Sequence, residues 1–293
     1  TPQSGGGLSF GGVDNRLNKI TIDGAAFNNS FGLAGSPGDR TGVAPISLNA
    51  IEQVQINIAP YDVRQGNFVG AGVNVVTRSG SNEFSGSVYR IQRDNGLVGK
   101  FAGATPFNPG TFDFGLWGGR VGGPIIKNKL FFFVSAEDDE LGEPATTFRA
   151  NQGGETVGGN ITRVQTADLT RLSDFLRTNF NYETGPFGDY DFAVPSRRYL
   201  AKLDYNLNDR NKFSLRYTQL NSNSDQIVSG SGSLGNGRRQ NALDFLSFQN
   251  SNYAIKENIR SLVGEWNAQV GSRAANNLIV GYTTNDESRD FAN

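Results

Sequence analysis

Cysteine, histidine and methionine are all absent from the 293 residues. That removes disulfides, thiolate or imidazole metal sites, thiol redox chemistry and every histidine-dependent catalytic triad. The lack of methionine leads us to expect that Thr1 is not a native start, and that the chain is a processed product or a piece of something longer, with any signal sequence out of view. An excess of either charge is missing too: 27 Lys+Arg against 28 Asp+Glu gives 27 − 28 = −1, so no nucleic-acid partner is expected. No apolar run approaches the roughly 18 residues of a membrane helix, which leaves a membrane barrel untouched because barrel strands are apolar on one side only.

What is present points to β structure. A chain with 38 Gly, 21 Phe and 9 Tyr but only 37% hydrophobic residues is a poor recipe for a helical core, and its mean hydropathy is −0.42. Composition alone leaves a soluble β-sandwich, a repeat-built surface protein and an outer-membrane barrel open.

To about Ser79 the chain is Gly-rich, with short strands expected at 19–23, 52–58 and 73–77 and a short helix opening near Ile46. In the second of these, Val54, Ile56 and Ile58 alternate with Gln53, Gln55 and Asn57, the mark of a half-buried strand. Between the first two, Gly32, Gly35, Pro37 and Gly38 forbid regular structure and make a loop. From Asn82 the strands lengthen, and we expect them near 83–94, 112–124, 129–141, 197–207, 212–222, 256–270 and 276–288. Their connections alternate long and short. A transmembrane barrel has short periplasmic turns and long outer loops by construction, whereas a sandwich has no reason to gather its long loops at one end.

Side-chain parity agrees. Tyr199, Ala201, Leu203, Tyr205 and Leu207 share one face against Arg198, Lys202, Asp204 and Asn206; Phe213, Leu215 and Tyr217 oppose Ser214, Arg216 and Thr218. We therefore expect Tyr205, Leu215, Tyr217 and Trp266 to face lipid, and Lys202, Asp204, Arg216 and Glu265 the interior. An ordinary sheet with one wet face reads the same way on alternation alone. Residues 166–180 carry Leu169, Leu172, Phe175, Leu176 and Phe180 at helical spacing, expected as a small helix packed on a long loop.

Other signals carry no chemistry. Gly96 to Lys100 ends like a phosphate loop but lacks its glycine spacing and is followed by Phe101. The run Glu137 to Glu140 lies along a strand, where neighbours point to opposite faces, and is expected to be a solvated strand end rather than a cation site. No catalytic residue, metal ligand or cofactor is expected.

A family resemblance rests on combined motifs. Ile22-Asp23-Gly24, then ISLNAIEQVQINI over 46–58, PYDVRQG over 60–66 and GVNVVTRSGSNEF over 72–84 resemble the second half of the plug of TonB-dependent outer-membrane receptors. Farther on, VGGPIIKNKLFFF over 121–133 and RYLAKLDYNLNDRNKFSLRY over 198–217 are similar to the first barrel strands of the Oar-like subgroup. The resemblance implies a mainly β fold in which a small α/β plug, residues 1–79, sits inside a transmembrane antiparallel barrel. Of that barrel residues 80–293 supply about seven strands, with extracellular loops near 95–111, 142–196 and 223–255. Against about 22 strands in such transporters this is a partial barrel, roughly a third of a receptor. Nothing here resembles the TonB box, the first half of the plug or a regulatory-like domain.

The implied work is energy-coupled import at the outer membrane of a bacterial cell, by binding and conformational change rather than catalysis. Implied partners are TonB in the periplasm, through a contact outside this chain, outer-membrane lipid, a peptide or protein substrate, and a surface lipoprotein. The Oar-like subgroup also admits a role in export. The rival is a non-transporting adhesin or carbohydrate-binding β module. In the family the loop after the IDG strand rises to the outer side of the plug, so substrate contact is expected there, on Asn28, Asn29, Phe31, Asp39 and Arg40. Amides, an aromatic face and a guanidinium suit recognition; a plain polar turn meeting water is the alternative.

Overall fold

A computed structural model describes residues 9–10, 12, 14–28, 36–58, 71–103, 105–106, 110–228 and 241–291. The first part holds β1 (Lys19–Ile22), β2 (Ala25–Ala26), β3 (Ile51–Ile58) and β4 (Ala71–Thr77), hydrogen-bonded as one four-stranded sheet in the order β2-β1-β4-β3. Asp23 and Gly24 link β1 to β2 with φ of 46° and 77°, the two positive angles that a tight hairpin turn demands and that an Asp-Gly pair supplies. A 3-10 turn at Leu48–Ala50 leads into β3, with Ser47 accepting from the Asn49 amide at its start.

The rest is a wall. After β5 (Ser85–Asp94) and a small hairpin of β6 (Phe101–Ala102) and β7 (Thr105–Pro106) come β8 (Asp113–Ile126) and β9 (Leu130–Pro144). A parallel pair, β10 (Arg149–Asn151) and β11 (Ile161–Gln165), precedes the helix α1 (Thr166–Phe180). Then follow β12 (Asp191–Asn208), β13 (Asn211–Gln226), β14 (Tyr253–Val270) and β15 (Ala274–Phe291). Seven of these form one sheet, in the order β15-β14-β13-β12-β9-β8-β5, with every pairing antiparallel. Among the described residues it is open, with β5 and β15 at its edges.

The expected parity holds. Tyr205, Leu215 and Trp266 are exposed on the outward face with Tyr217 beside them, while Lys202 and Arg216 are buried and Asp204 and Glu265 partly buried on the other. Register extends the outward band sideways through Leu278, Val280 and Tyr282 on β15 and through Val134 and Val121 on β9 and β8. From Leu207 to Tyr199 the strand climbs about 27 Å along its own axis. Tilted as barrel strands are, that comes close to the ~25 Å apolar belt of an outer-membrane barrel.

The strands continue past this band. Asp138, Arg197, Asn221, Asn258 and Asp286 form the next outward row, and all are polar. The sequence alternation underestimates the strands here, because above the belt the outward face is polar and the inward face buries polar groups such as Ser196, Ser222, Ser224 and Glu257, so the apolar period is lost. β3 departs from expectation in another way: Val54, Ile56 and Ile58 are exposed like the polar positions between them, since no described element covers that edge strand. On the long-connection side, α1 buries Leu169 against Ala150 and Leu246, with Phe148, Val164, Phe187 and Phe248 around them, as a separate small core.

Candidate functional site

The small sheet packs on the inward face of the wall. Ile22, Phe27, Val43, Ile46 and Ala50 from the first part meet Phe133, Leu200, Leu220 and Ile259 from β9, β12, β13 and β14 in one apolar cluster. Around that cluster the contact is polar and charged.

Its base is Asp23. One carboxylate oxygen accepts from the Thr77 amide at 2.7 Å; the other accepts from Thr77 Oγ1 at 2.6 Å and from Arg216 Nη1 at 2.7 Å. Lys202 Nζ lies 3.6 Å from the same oxygen and donates to Thr77 O and Oγ1 at 3.4 and 3.3 Å. All three charged side chains are largely out of solvent. Burial pushes the Asp23 carboxyl up, but Lys202, the two Thr77 hydrogen bonds and Arg216 together more than reverse this and hold it below the usual aspartate value. Arg216 Nε and Nη2 find no protein partner among the described residues, so the guanidinium is held here by one bond.

A second cluster centres on Arg198. It bridges Glu137 Oε2 at 2.7 Å and Asp139 Oδ1 at 2.8 Å. Glu137 Oε1 also accepts from Ser47 Oγ at 2.6 Å and from the Tyr89 hydroxyl, and Asp139 accepts from Ser196 Oγ. The acidic run is thus not the solvated strand end that was expected. Its odd members turn inward and are buried, and only Asp138 pairs outside, with Arg197 at 2.7 Å. Strand parity splits the run into two environments.

The third cluster holds the loop after β2. The Gly38 amide donates to Glu257 Oε1 at 2.8 Å, Thr41 Oγ1 shares a hydrogen bond with Ser222 Oγ at 2.8 Å, and Arg40 Nε donates to Glu287 Oε1 at 2.9 Å. Asp39 accepts from the Ser36 amide and hydroxyl at 2.7 and 2.6 Å, closing its own turn. Asn28 accepts from the Ile20 amide at 3.0 Å and donates to Asn18 O at 2.8 Å, which fixes the end of β1. Of the residues expected to meet substrate, then, Asn28, Asp39 and Arg40 are engaged by the protein itself, while Asn29 and Phe31 lie outside the described residues. The sequence reading put Arg198, Lys202 and Arg216 on the interior face but gave them no functional role; what it lacked was their partners, Asp23, Glu137 and Asp139, distant in sequence.

Beyond this loop the inner face carries a cavity. Two inward positions past Ser196 on β12, register places Phe192 beside Glu143, and Gln226 of β13 lines the same space. There Leu141, Phe148, Phe192 and Val194, with Glu143 and Asn241, line a space of about 410 Å³.

Residues 76–151 match the family model described as an outer membrane beta barrel domain. Over 221 residues, 71% of this chain and 19% of the other, the sequence is 33% identical to the TonB-dependent transporter Oar of Myxococcus xanthus. This is outer-membrane sequence of the TonB-dependent receptor kind. The outer membrane transporter YddB from Escherichia coli has the same fold, with a TM-score of 0.58 at 13% identity, over 94% of this chain and 32% of that one. The chain therefore spans about a fifth of one receptor and a third of the other. In the terms of this family the small sheet is plug and the seven-stranded wall is barrel.

Proposed function

We propose that the whole protein is an importer in which residues 1–79 are plug and 80–293 barrel wall, the long connections lie outside the cell, and TonB pulls on the plug from the periplasm. The observation that carries this is the makeup of the plug–wall contact. A modest apolar cluster is ringed by the Asp23, Arg198 and Glu257 groups, whose hydrogen bonds and ion pairs can be exchanged for water at little net cost. A contact of that kind holds a plug in place and still lets it shift, whereas an all-apolar contact of the same size would resist wetting. Substrate is met on the outer side by the loop over 27–43, with Asn29, Phe31 and the free edge of Arg40 as contacts, and by the cavity at Phe192 directly beyond it.

Ser47→Cys tests the movement without requiring a known substrate. Ser47 is buried under Glu137, so a maleimide should label the cysteine in energised cells and not in cells lacking TonB. Labelling that does not depend on TonB would refute plug displacement at this point.

A further inference from the structure

We infer that the short-turn rim of the wall is a binding site for an anionic phospholipid of the periplasmic leaflet, with its chains in a groove on the lipid face and its phosphate at the turns. The groove, about 610 Å³, lies on the outward band between Leu203, Phe213, Leu215, Trp266 and Val280. Its floor exists because Gly264 carries no side chain and a Cβ there would touch nothing. Phe213 and Trp266 stack at one end, 5.9 Å apart and 6° from parallel. Trp266 Nε1 points toward the turn and donates to Asn211 Oδ1 at 3.1 Å, the posture of an indole at a membrane–water boundary. Glu265 also lines the groove, and its carboxylate accepts from Asn267 and Asn277.

Immediately past Trp266 along β14, a second hollow of about 470 Å³ opens between the β12–β13 and β14–β15 turns. Arg210, Lys212 and Arg273 line it, with Asp209 as the one carboxylate. It straddles the rim, since Ala268 and Asn276 bring it to the outward face and Lys212 and Asn267 to the inward one. All three cations are exposed, and none forms an ion pair among the described residues. The opposite end of the outward face is mixed: Asp138 and Asp290 pair with Arg197 and Lys256, while Glu140 and Asp286 form no ion pair among the described residues. An apolar trough that runs into a hollow with three cations against one carboxylate matches a molecule with acyl chains and a phosphate, and the net charge selects anionic over zwitterionic headgroups.

The site rests on the proposed orientation, so the test separates the two. Purified full-length receptor is titrated with phosphatidylglycerol and, separately, phosphatidylcholine, and retained lipid is read by native mass spectrometry. Phosphatidylglycerol should outlast phosphatidylcholine. Replacing Arg210, Lys212 and Arg273 together with Gln should cut phosphatidylglycerol retention by up to about a hundredfold and leave phosphatidylcholine unchanged. Gly264→Leu, which fills the groove and spares the cations, should lower both lipids. Equal retention of the two lipids by the parent, or a triple variant that behaves like it, overturns the inference; full displacement by millimolar inorganic phosphate would reduce it to an anion site. Separately, Ser272→Cys on intact cells should resist an impermeant maleimide. Labelling there would overturn the orientation whatever the lipid result.

Discussion

Asp23 and Arg216 meet at 2.7 Å across 193 residues of sequence, and the bond joins the Asp-Gly turn of the plug to β13 of the wall. The Asp-Gly hairpin makes this geometry, because the two left-handed residues swing the carboxylate back over the end of β4, where Thr77 donates to it twice. Asp23→Asn keeps the shape and removes the charge, leaving Arg216 and Lys202 buried without a counter-ion. Breaking one side of a buried pair costs about 3 kcal/mol or more. We expect the Thr77 amide to lose a matching share of its protection in hydrogen exchange on the full receptor, while amides near Arg198 keep theirs. Unchanged protection at Thr77 would mean that Asp23 holds nothing.

The same contact should be acid-sensitive. Asp23 is lowered in the folded protein, so its stabilisation is complete above the ordinary aspartate value near 3.8 and is lost as pH falls through the lower folded value. Protection of the Thr77 amide should therefore be flat through neutral and mildly acidic pH and decline only in strong acid. In the Asp23→Asn protein that decline should be absent at Thr77. A loss of protection already at pH 5 to 6 would point to another group.

Much of the wall was legible in the sequence, for a physical reason. Inside the belt one face meets lipid and the other meets the plug, so Leu203, Tyr205 and Leu215 alternate with Lys202, Asp204 and Arg216. α1 was legible from the stripe of Leu169, Leu172 and Leu176, although only Leu169 is buried and Leu172 stays exposed. Beyond the belt, Glu140 to Pro144 and Asn221 to Gln226 are strand without an apolar period, because the outward side meets water and the inward side buries polar residues such as Ser222 and Ser224. The plug contact was hidden in a different sense. Nothing near Asp23 announces Arg216, and a run of four acids hides that parity sends Glu137 and Asp139 to Arg198 but Asp138 outside. Pairing across the fold is set by register, which local pattern does not contain.

Gly38 should be intolerant of any side chain. Its φ is 93°, and a Cβ there would lie 2.0 Å from the Val43 carbonyl oxygen, a backbone atom that cannot swing aside. Gly38→Ala should cost about 1–3 kcal/mol in the apical loop. It should also displace the Gly38 amide from Glu257, leaving a fully buried carboxylate without that donor. Limited proteolysis would show new cleavage between 36 and 43 in the variant; an unchanged pattern would contradict the argument.

The sharpest prediction concerns whether the apical loop must leave the wall. Thr41 Oγ1 and Ser222 Oγ are 2.8 Å apart and buried, so cysteines at both positions need only a small adjustment to reach the ~2.05 Å of a disulfide. Thr41 Oγ1 also bonds Gly38 O and Ser222 Oγ also bonds Glu257 O, so either single substitution forfeits two neutral hydrogen bonds and should cost about 1–3 kcal/mol. The oxidised pair, in contrast, ties plug residue 41 covalently to β13. If import requires the plug to shift as a body, the Thr41→Cys/Ser222→Cys receptor should lose its receptor-dependent uptake on oxidation and recover it with a membrane-permeant reductant, while both singles remain active throughout. If instead only a segment nearer the periplasm unfolds, the locked protein should transport as well as the parent. Retained uptake in a fully oxidised sample would therefore exclude whole-plug displacement and move the working part of the plug away from this loop.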